Sequence, residues 1–82
     1  MTEEIQRHPT VVQANESLTD EDYPTAIELY TKAIDELGES SYLLTKRAAA
    51  YFRNDEADDS LEDSTRAIEL DDSNAMAHYR KA

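Results

Sequence analysis

Two sorts of residue in this chain have chemistry to offer: carboxylates crowded together and cations in adjacent pairs. Asp58 and Asp59 sit within an acidic run from Asp55 to Asp63. Paired carboxylates do acid–base work when their surroundings drive the two pKa values apart. The sequence around them supplies no Gly-rich phosphate loop and no nucleophile elbow. The run reads more simply as the solvated start of a helix, where carboxylates complement the backbone dipole. The alternative, a docking site for a basic partner, stays open. His8 and His78 stand alone in a chain with no Cys, so surface or partly packed imidazoles are expected rather than metal ligands. No catalytic residue, cofactor or metal is expected; the chain does not read as an enzyme.

The cations are more telling. Lys46-Arg47 and Arg80-Lys81 are separated by 34 residues, the offset that relates the whole chain to itself. They would steer an acidic partner segment, or they pair with carboxylates on neighbouring helices, as surface cations commonly do at little gain.

The elements that must carry these residues follow from the same offset. Ala26-Ile-Glu-Leu-Tyr-Thr-Lys-Ala-Ile34 returns as Ser60-Leu-Glu-Asp-Ser-Thr-Arg-Ala-Ile68. Glu28/Glu62, Thr31/Thr65, Ala33/Ala67 and Ile34/Ile68 are identical, and Ala14, Ala48 and Ala82 lie on the same comb. A fixed period of this size marks an array of helical units.

In chain order, Met1–Arg7 is polar apart from Ile5 and reads as a frayed tail. Pro9 suits the first turn of a helix, and Val11, Val12, Ala14, Ser17 and Leu18 carry that helix to about Thr19. Asp22 is the expected N-cap of a second helix, with Pro24 behind it and Gly38 as its stop. Tyr23, Ala26, Ile27, Tyr30, Ala33, Ile34 and Leu37 form its apolar stripe. Ser40 or Ser41 caps a third helix bearing Leu43, Leu44, Ala48, Tyr51 and Phe52. A fourth runs to about Leu70 and is expected to bury Leu61, Ala67, Ile68 and Leu70. Asp71-Asp72-Ser73 turns again, and Ala75–Ala82 begins a fifth. Short loops make sequential helices antiparallel neighbours.

Composition narrows the classes. Eighty-two residues make one small domain; 39% apolar content at helical spacing favours a fold over disorder, although 33% of residues are charged. A formal charge of −11 disfavours nucleic acid and anionic membranes as partners. No apolar run approaches a membrane span, no signal-peptide core precedes Arg7, and zero Cys is compatible with a reducing compartment. A cytoplasmic protein, with the nucleus as a further location, is the expectation.

These features resemble the tetratricopeptide-repeat (TPR) family, whose unit is a 34-residue helix–turn–helix. The likeness rests on Asn15, Tyr23, Ala26, Tyr30 and Ala33 in the first copy and on Ala48, Tyr51 and Ala67 in the second. Gly38, Ser60, Ser64 and Asp72 depart from the family's pattern. The resemblance implies an all-α fold, an α–α superhelix (TPR solenoid) of antiparallel helix hairpins with about five helices. It divides the chain into a polar tail at 1–7, a first repeat at 8–40, a second at 41–74 and the first helix of a third at 75–82.

The resemblance also implies a protein-interaction adaptor that works through its concave face. Family members that grip a chaperone tail do so with a carboxylate clamp, and its positions fall here on Val11, Asn15, Lys46, Met76 and Arg80. Only Asn15 and Arg80 match, so a complete clamp is absent; each lost charge-assisted bond forfeits about 1.5–3 kcal/mol. Leu18-Thr-Asp-Glu-Asp22 is similar to the Sgt-type co-chaperones (suppressor of the G-two allele of Skp). Partners implied by that likeness are the ninety-kilodalton heat-shock chaperone complex and Skp-type ubiquitin-ligase adaptors. The expected partner-binding residues are Val11, Asn15, Tyr42, Lys46, Met76, Tyr79 and Arg80. Leu18 and Phe52, on the same face, are read as core; for Tyr42, Met76 and Tyr79, core or surface packing is the competing reading. The alternative function is self-association, a homodimer formed through the open C-terminal end at Met76 and Tyr79.

Overall fold

A computed structural model describes residues 2–70 as five helices with no strand among them: α1 (Thr2–Arg7), α2 (Pro9–Thr19), α3 (Tyr23–Leu37), α4 (Ser41–Arg53) and α5 (Ala57–Leu70). The expected all-α architecture is found. The set of five differs from the expected one. Residues 75–82 lie outside the described residues, and the additional helix is α1, in the segment read as a polar tail. Its one apolar residue, Ile5, packs against the core. His8 separates α1 from α2 because a residue before proline is pushed to extended backbone; it sits at φ −62, ψ 131. Its ring Nδ1 accepts from the Thr10 N–H at 3.3 Å, so this histidine is the N-cap of α2.

α2 packs on α3, α3 on α4 and α4 on α5. The two hairpins α2–α3 and α4–α5 are copies at the level of single backbone bonds. Glu21 and Asp55, 34 positions apart, both take positive φ, 63 and 62. The N–H of Asp22 donates to the Ser17 carbonyl at 2.9 Å, and that of Glu56 donates to the Tyr51 carbonyl at 2.8 Å. Likewise Asp20 donates to Glu16 and Asn54 to Ala50. Acidic residues in these turns therefore fill equivalent positions in one turn geometry.

The remaining boundaries have local causes. Gly38 takes φ 90, where a side chain would be strained, and donates to the Ile34 carbonyl at 2.7 Å. The Ser40 hydroxyl accepts from the Leu43 N–H at 3.1 Å and caps α4. Asp22, expected to cap α3, makes no side-chain cap bond: at φ −91, ψ 74 its backbone is not in the extended conformation typical of a capping residue.

The core is small and built from close approach. Val11, Ala14, Ala26, Tyr30, Ala33, Leu43 and Ala50 form one buried cluster, with Ile5, Leu18, Ile27, Leu29, Ile34 and Tyr42 packed against it. Ala14 and Ala48 are both buried, as are Ala33 and Ala67, so the small positions of the comb let paired backbones meet. Ser60, which replaces the alanine at position 26, donates its hydroxyl to the Ala48 carbonyl at 2.8 Å and keeps the contact. Three expectations fail here. Phe52, read as core, is 69% exposed; Leu61, read as buried, is 68% exposed; and Leu70 is exposed too.

Candidate functional site

The residues expected to meet a partner begin in the core. Tyr30, on α3, is fully buried and needs a partner for its hydroxyl. It donates to the side-chain oxygen of Asn15 on α2. The amide nitrogen of Asn15 then donates to the Tyr42 hydroxyl on α4 at 3.2 Å. Above the Tyr42 ring, 5.8 Å from its centre, lies the Lys46 ammonium, one turn further along α4. A single polar line thus runs from the centre of the molecule through Asn15 to a cation at the surface, and it ties α2 to α4. Burial, with the neighbouring Tyr42 phenol second, pushes the Tyr30 hydroxyl well above its ordinary value of 10.0. At neutral pH it is a fixed donor.

Beside this line α2 presents Val12, 41% exposed, with Asn15, Glu16, Thr19 and Asp20, around an open depression of about 580 Å³. The Thr19 hydroxyl donates to the Asn15 carbonyl at 3.0 Å. The α2/α4 face therefore offers an aliphatic residue, a tyrosine supported from beneath, and a lysine with no ion pair among the described residues.

Of the seven residues expected to bind, the structure brings three together: Asn15, Tyr42 and Lys46. Val11 has no exposed surface and belongs to the core, so it cannot touch a partner. Its neighbour Val12 is the residue α2 turns outward. Adjacent helical positions point about 100° apart, and two valines in sequence leave the choice to tertiary packing. Asn15 reaches the face with its amide already engaged on both sides. Met76, Tyr79 and Arg80 lie outside the described residues. What sequence reasoning missed is Tyr30 as the anchor of the line. The signal was available: a tyrosine in an apolar stripe needs a hydroxyl partner, and Asn15 is the polar residue in the stripe of α2.

Lys46 and Arg47, treated as one basic pair, part company for the same angular reason. Arg47 turns to α5 and makes a two-pronged ion pair with Asp63, Nε to Oδ2 at 2.6 Å and Nη2 to Oδ1 at 2.8 Å. Its Nη1 donates to the Thr31 hydroxyl on α3 at 3.1 Å, and its guanidinium lies 5.7 Å from the Tyr51 ring. The bond to Asp63, more than any other interaction, raises the Arg47 pKa further above its ordinary value. Asp63, grouped by sequence with the solvated acidic run, is only 5% exposed. Arg47 is accordingly a structural tie among three helices and is not available to a partner. The described residues hold no group of His, Cys, Asp and Glu arranged to bind a metal ion.

Comparison with known proteins gives matches along most of the chain. It is 37% identical over 70 residues to human serine/threonine-protein phosphatase 5 (Homo sapiens), a stretch covering 85% of this chain and 14% of that protein. It is 36% identical over 73 residues to human WD and tetratricopeptide repeats protein 1, covering 85% of this chain and 11% of that one. To the protein SGT1 homolog of Oryza sativa subsp. japonica it is 35% identical over 69 residues, 84% of this chain and 19% of the relative. The chain thus spans 11% to 19% of these relatives' lengths. No family model matches the chain, and no solved structure does.

Proposed function

We proceed from the premise that the chain is a tetratricopeptide-repeat-type domain and propose that it is a protein-interaction adaptor whose α2/α4 face, the concave side of the array, holds a partner segment. The observation that carries this reading is the Tyr30–Asn15–Tyr42–Lys46 line. It places an aromatic ring, and an ammonium with no ion pair among the described residues, on one face with the exposed Val12. Rigid, pre-placed side chains lose little freedom on binding, so more of each contact appears as affinity. Such a face suits an extended or helical segment with an apolar anchor and a nearby carboxylate.

A complete carboxylate clamp is not part of this reading. The position of one clamp lysine is the buried Val11, and Asn15 directs both ends of its amide at tyrosines. The likeness to the rice SGT1 homolog and to the acidic turn Leu18–Asp22 supports a co-chaperone setting in the cytoplasm. The partners proposed are the ninety-kilodalton heat-shock chaperone or a Skp-type ubiquitin-ligase adaptor. Within the described residues no helix is long and apolar enough to cross a membrane.

Titration of each candidate partner against the full chain tests the proposal. One of them binds, and Tyr42→Ala and Lys46→Glu each weaken it by about tenfold or more, roughly 1.4 kcal/mol. Lys32→Glu on α3 leaves the affinity unchanged. Binding lost equally through Lys32→Glu, or insensitive to Tyr42 and Lys46, refutes the α2/α4 face.

A further inference from the structure

The exposed Phe52 is one member of a continuous outer side of α4. Successive helical residues turn by about 100°, so Tyr42, Lys46, Ala49 and Arg53 fall within about 60° of one another, with Thr45 and Phe52 along one flank. Ala49, Phe52 and Arg53 are exposed, and Tyr42 and Lys46 are partly so. The buried residues of α4, Leu43, Leu44, Ala48 and Ala50, take the other side. Lys46 and Arg53 stand two turns apart, about 10.5 Å along the helix. Neither makes an ion pair among the described residues, and α4 has no carboxylate. Asp55 and Glu56 follow in the turn, where the Asn54 amide donates to the Glu56 carboxylate at 2.9 Å. Between the two cations Ala49 is a low point, with an aromatic residue before it and another after it. Across the face the charge reverses, because α2 sets Glu16 and Asp20 along its depression.

The hydrogen-bonding groups of this face select the conformation of what it holds. An extended segment brings a row of backbone N–H and C=O groups that need partners. Asn15, the amide best placed to supply them, has both ends engaged by tyrosines, and the Thr19 hydroxyl is committed to the Asn15 carbonyl. A helix satisfies its own backbone along its length and presents only side chains. Laid in a groove, it anchors through apolar residues at three- and four-residue spacing.

We propose that the occupant of the α2/α4 face is an amphipathic helix of a partner protein, lying along α4. Its apolar stripe rests on Val12, Tyr42, Ala49 and Phe52, and two carboxylates seven residues apart on one flank pair with Lys46 and Arg53. Its opposite flank, toward Glu16 and Asp20, carries no carboxylate. This rests on the reading of the α2/α4 face as the binding surface and adds the conformation and charge pattern of the partner.

Two synthetic peptides of about 18 residues, five helical turns, test the proposal by titration against the full chain. The first has a leucine stripe at helical spacing and two glutamates seven residues apart on one flank. The second is the same but for a central proline, which breaks the helix. The first binds, and the second binds at least about tenfold more weakly. Phe52→Ala and Arg53→Glu each weaken the first peptide by about tenfold, and replacing one of its two glutamates by lysine restores binding to Arg53→Glu. Phe52 is 69% exposed, so the thermal midpoint of Phe52→Ala stays near that of the parent and shows that the variant is folded. Absence of binding by the first peptide, equal affinity for both, or indifference to Phe52 and Arg53 overturns the helix. If Tyr42→Ala and Lys46→Glu still weaken a partner in that case, the face stands without it; indifference to all four residues removes face and helix together.

Discussion

Asn15 illustrates how a residue type at the right position can serve an inward purpose. An amide on the side of α2 proposed to meet a partner suggests a hand extended to a ligand, yet both of its ends point to tyrosines. What it reaches toward the surface is Tyr42, whose ring lies under the Lys46 ammonium. Tyr30 is the partner that makes this arrangement necessary, since its buried hydroxyl would otherwise lack an acceptor. Because burial raises the Tyr30 pKa above 10.0, the unfolded chain releases this proton first as the solution is made alkaline. Stability is then full below about pH 10 and falls above it, with a limiting slope near 1.4 kcal/mol per pH unit. Tyr30→Phe should lose about 1 kcal/mol at neutral pH with the hydrogen bond, but show a flatter alkaline decline than the parent. Denaturant unfolding from pH 8 to 11 measures both. Parallel declines for parent and variant would refute the assignment.

The helices α2 to α5 were legible because their apolar stripes, Pro9, Gly38 and Ser40 carry local instructions. α1 was not. A six-residue element with one apolar side chain shows no periodicity, and Ile5 acquires its role only through tertiary contact. The acidic run from Asp55 to Asp63 was illegible for a related reason: composition cannot say which carboxylate meets an arginine 16 residues earlier. The Arg47–Asp63 pair links α4 to α5, and Arg47 extends the tie to Thr31 on α3. Removing one partner leaves a poorly hydrated charge. Asp63→Ala should cost about 2–4 kcal/mol, below the figure for a fully buried pair because Arg47 keeps some contact with water. Replacing both together, Arg47→Leu with Asp63→Leu, should cost less than the single change, since no orphaned charge remains. Equilibrium unfolding of the parent, of Arg47→Leu and Asp63→Leu singly, and of the double variant reads this coupling. A double loss equal to the sum of two singles would show that the pair does not act as a unit.

At the scale of the molecule, the sequence conveyed the repeated hairpin, and the matched turns at Glu21 and Asp55 show that the copies extend to backbone torsions. It did not convey which apolar faces are covered. Periodicity tells that Phe52 and Leu61 lie on stripes, but only a neighbouring element decides whether a stripe is core or surface. The same gap placed Val11 on the binding side when Val12 is the residue that faces out. Charge adds a further asymmetry: in a chain of formal charge −11, α4 has no carboxylate at all. Within the proposed face α4 thus sets no carboxylate against an acidic segment, whereas Glu16 and Asp20 line the depression beside α2. Mapping amide shifts of the full chain on titration with its bound partner tests this most directly. The largest shifts should fall on α2 and α4, around Val12, Asn15, Tyr42 and Lys46. Shifts concentrated instead on α3 and α5, with those four amides unmoved, would contradict the account.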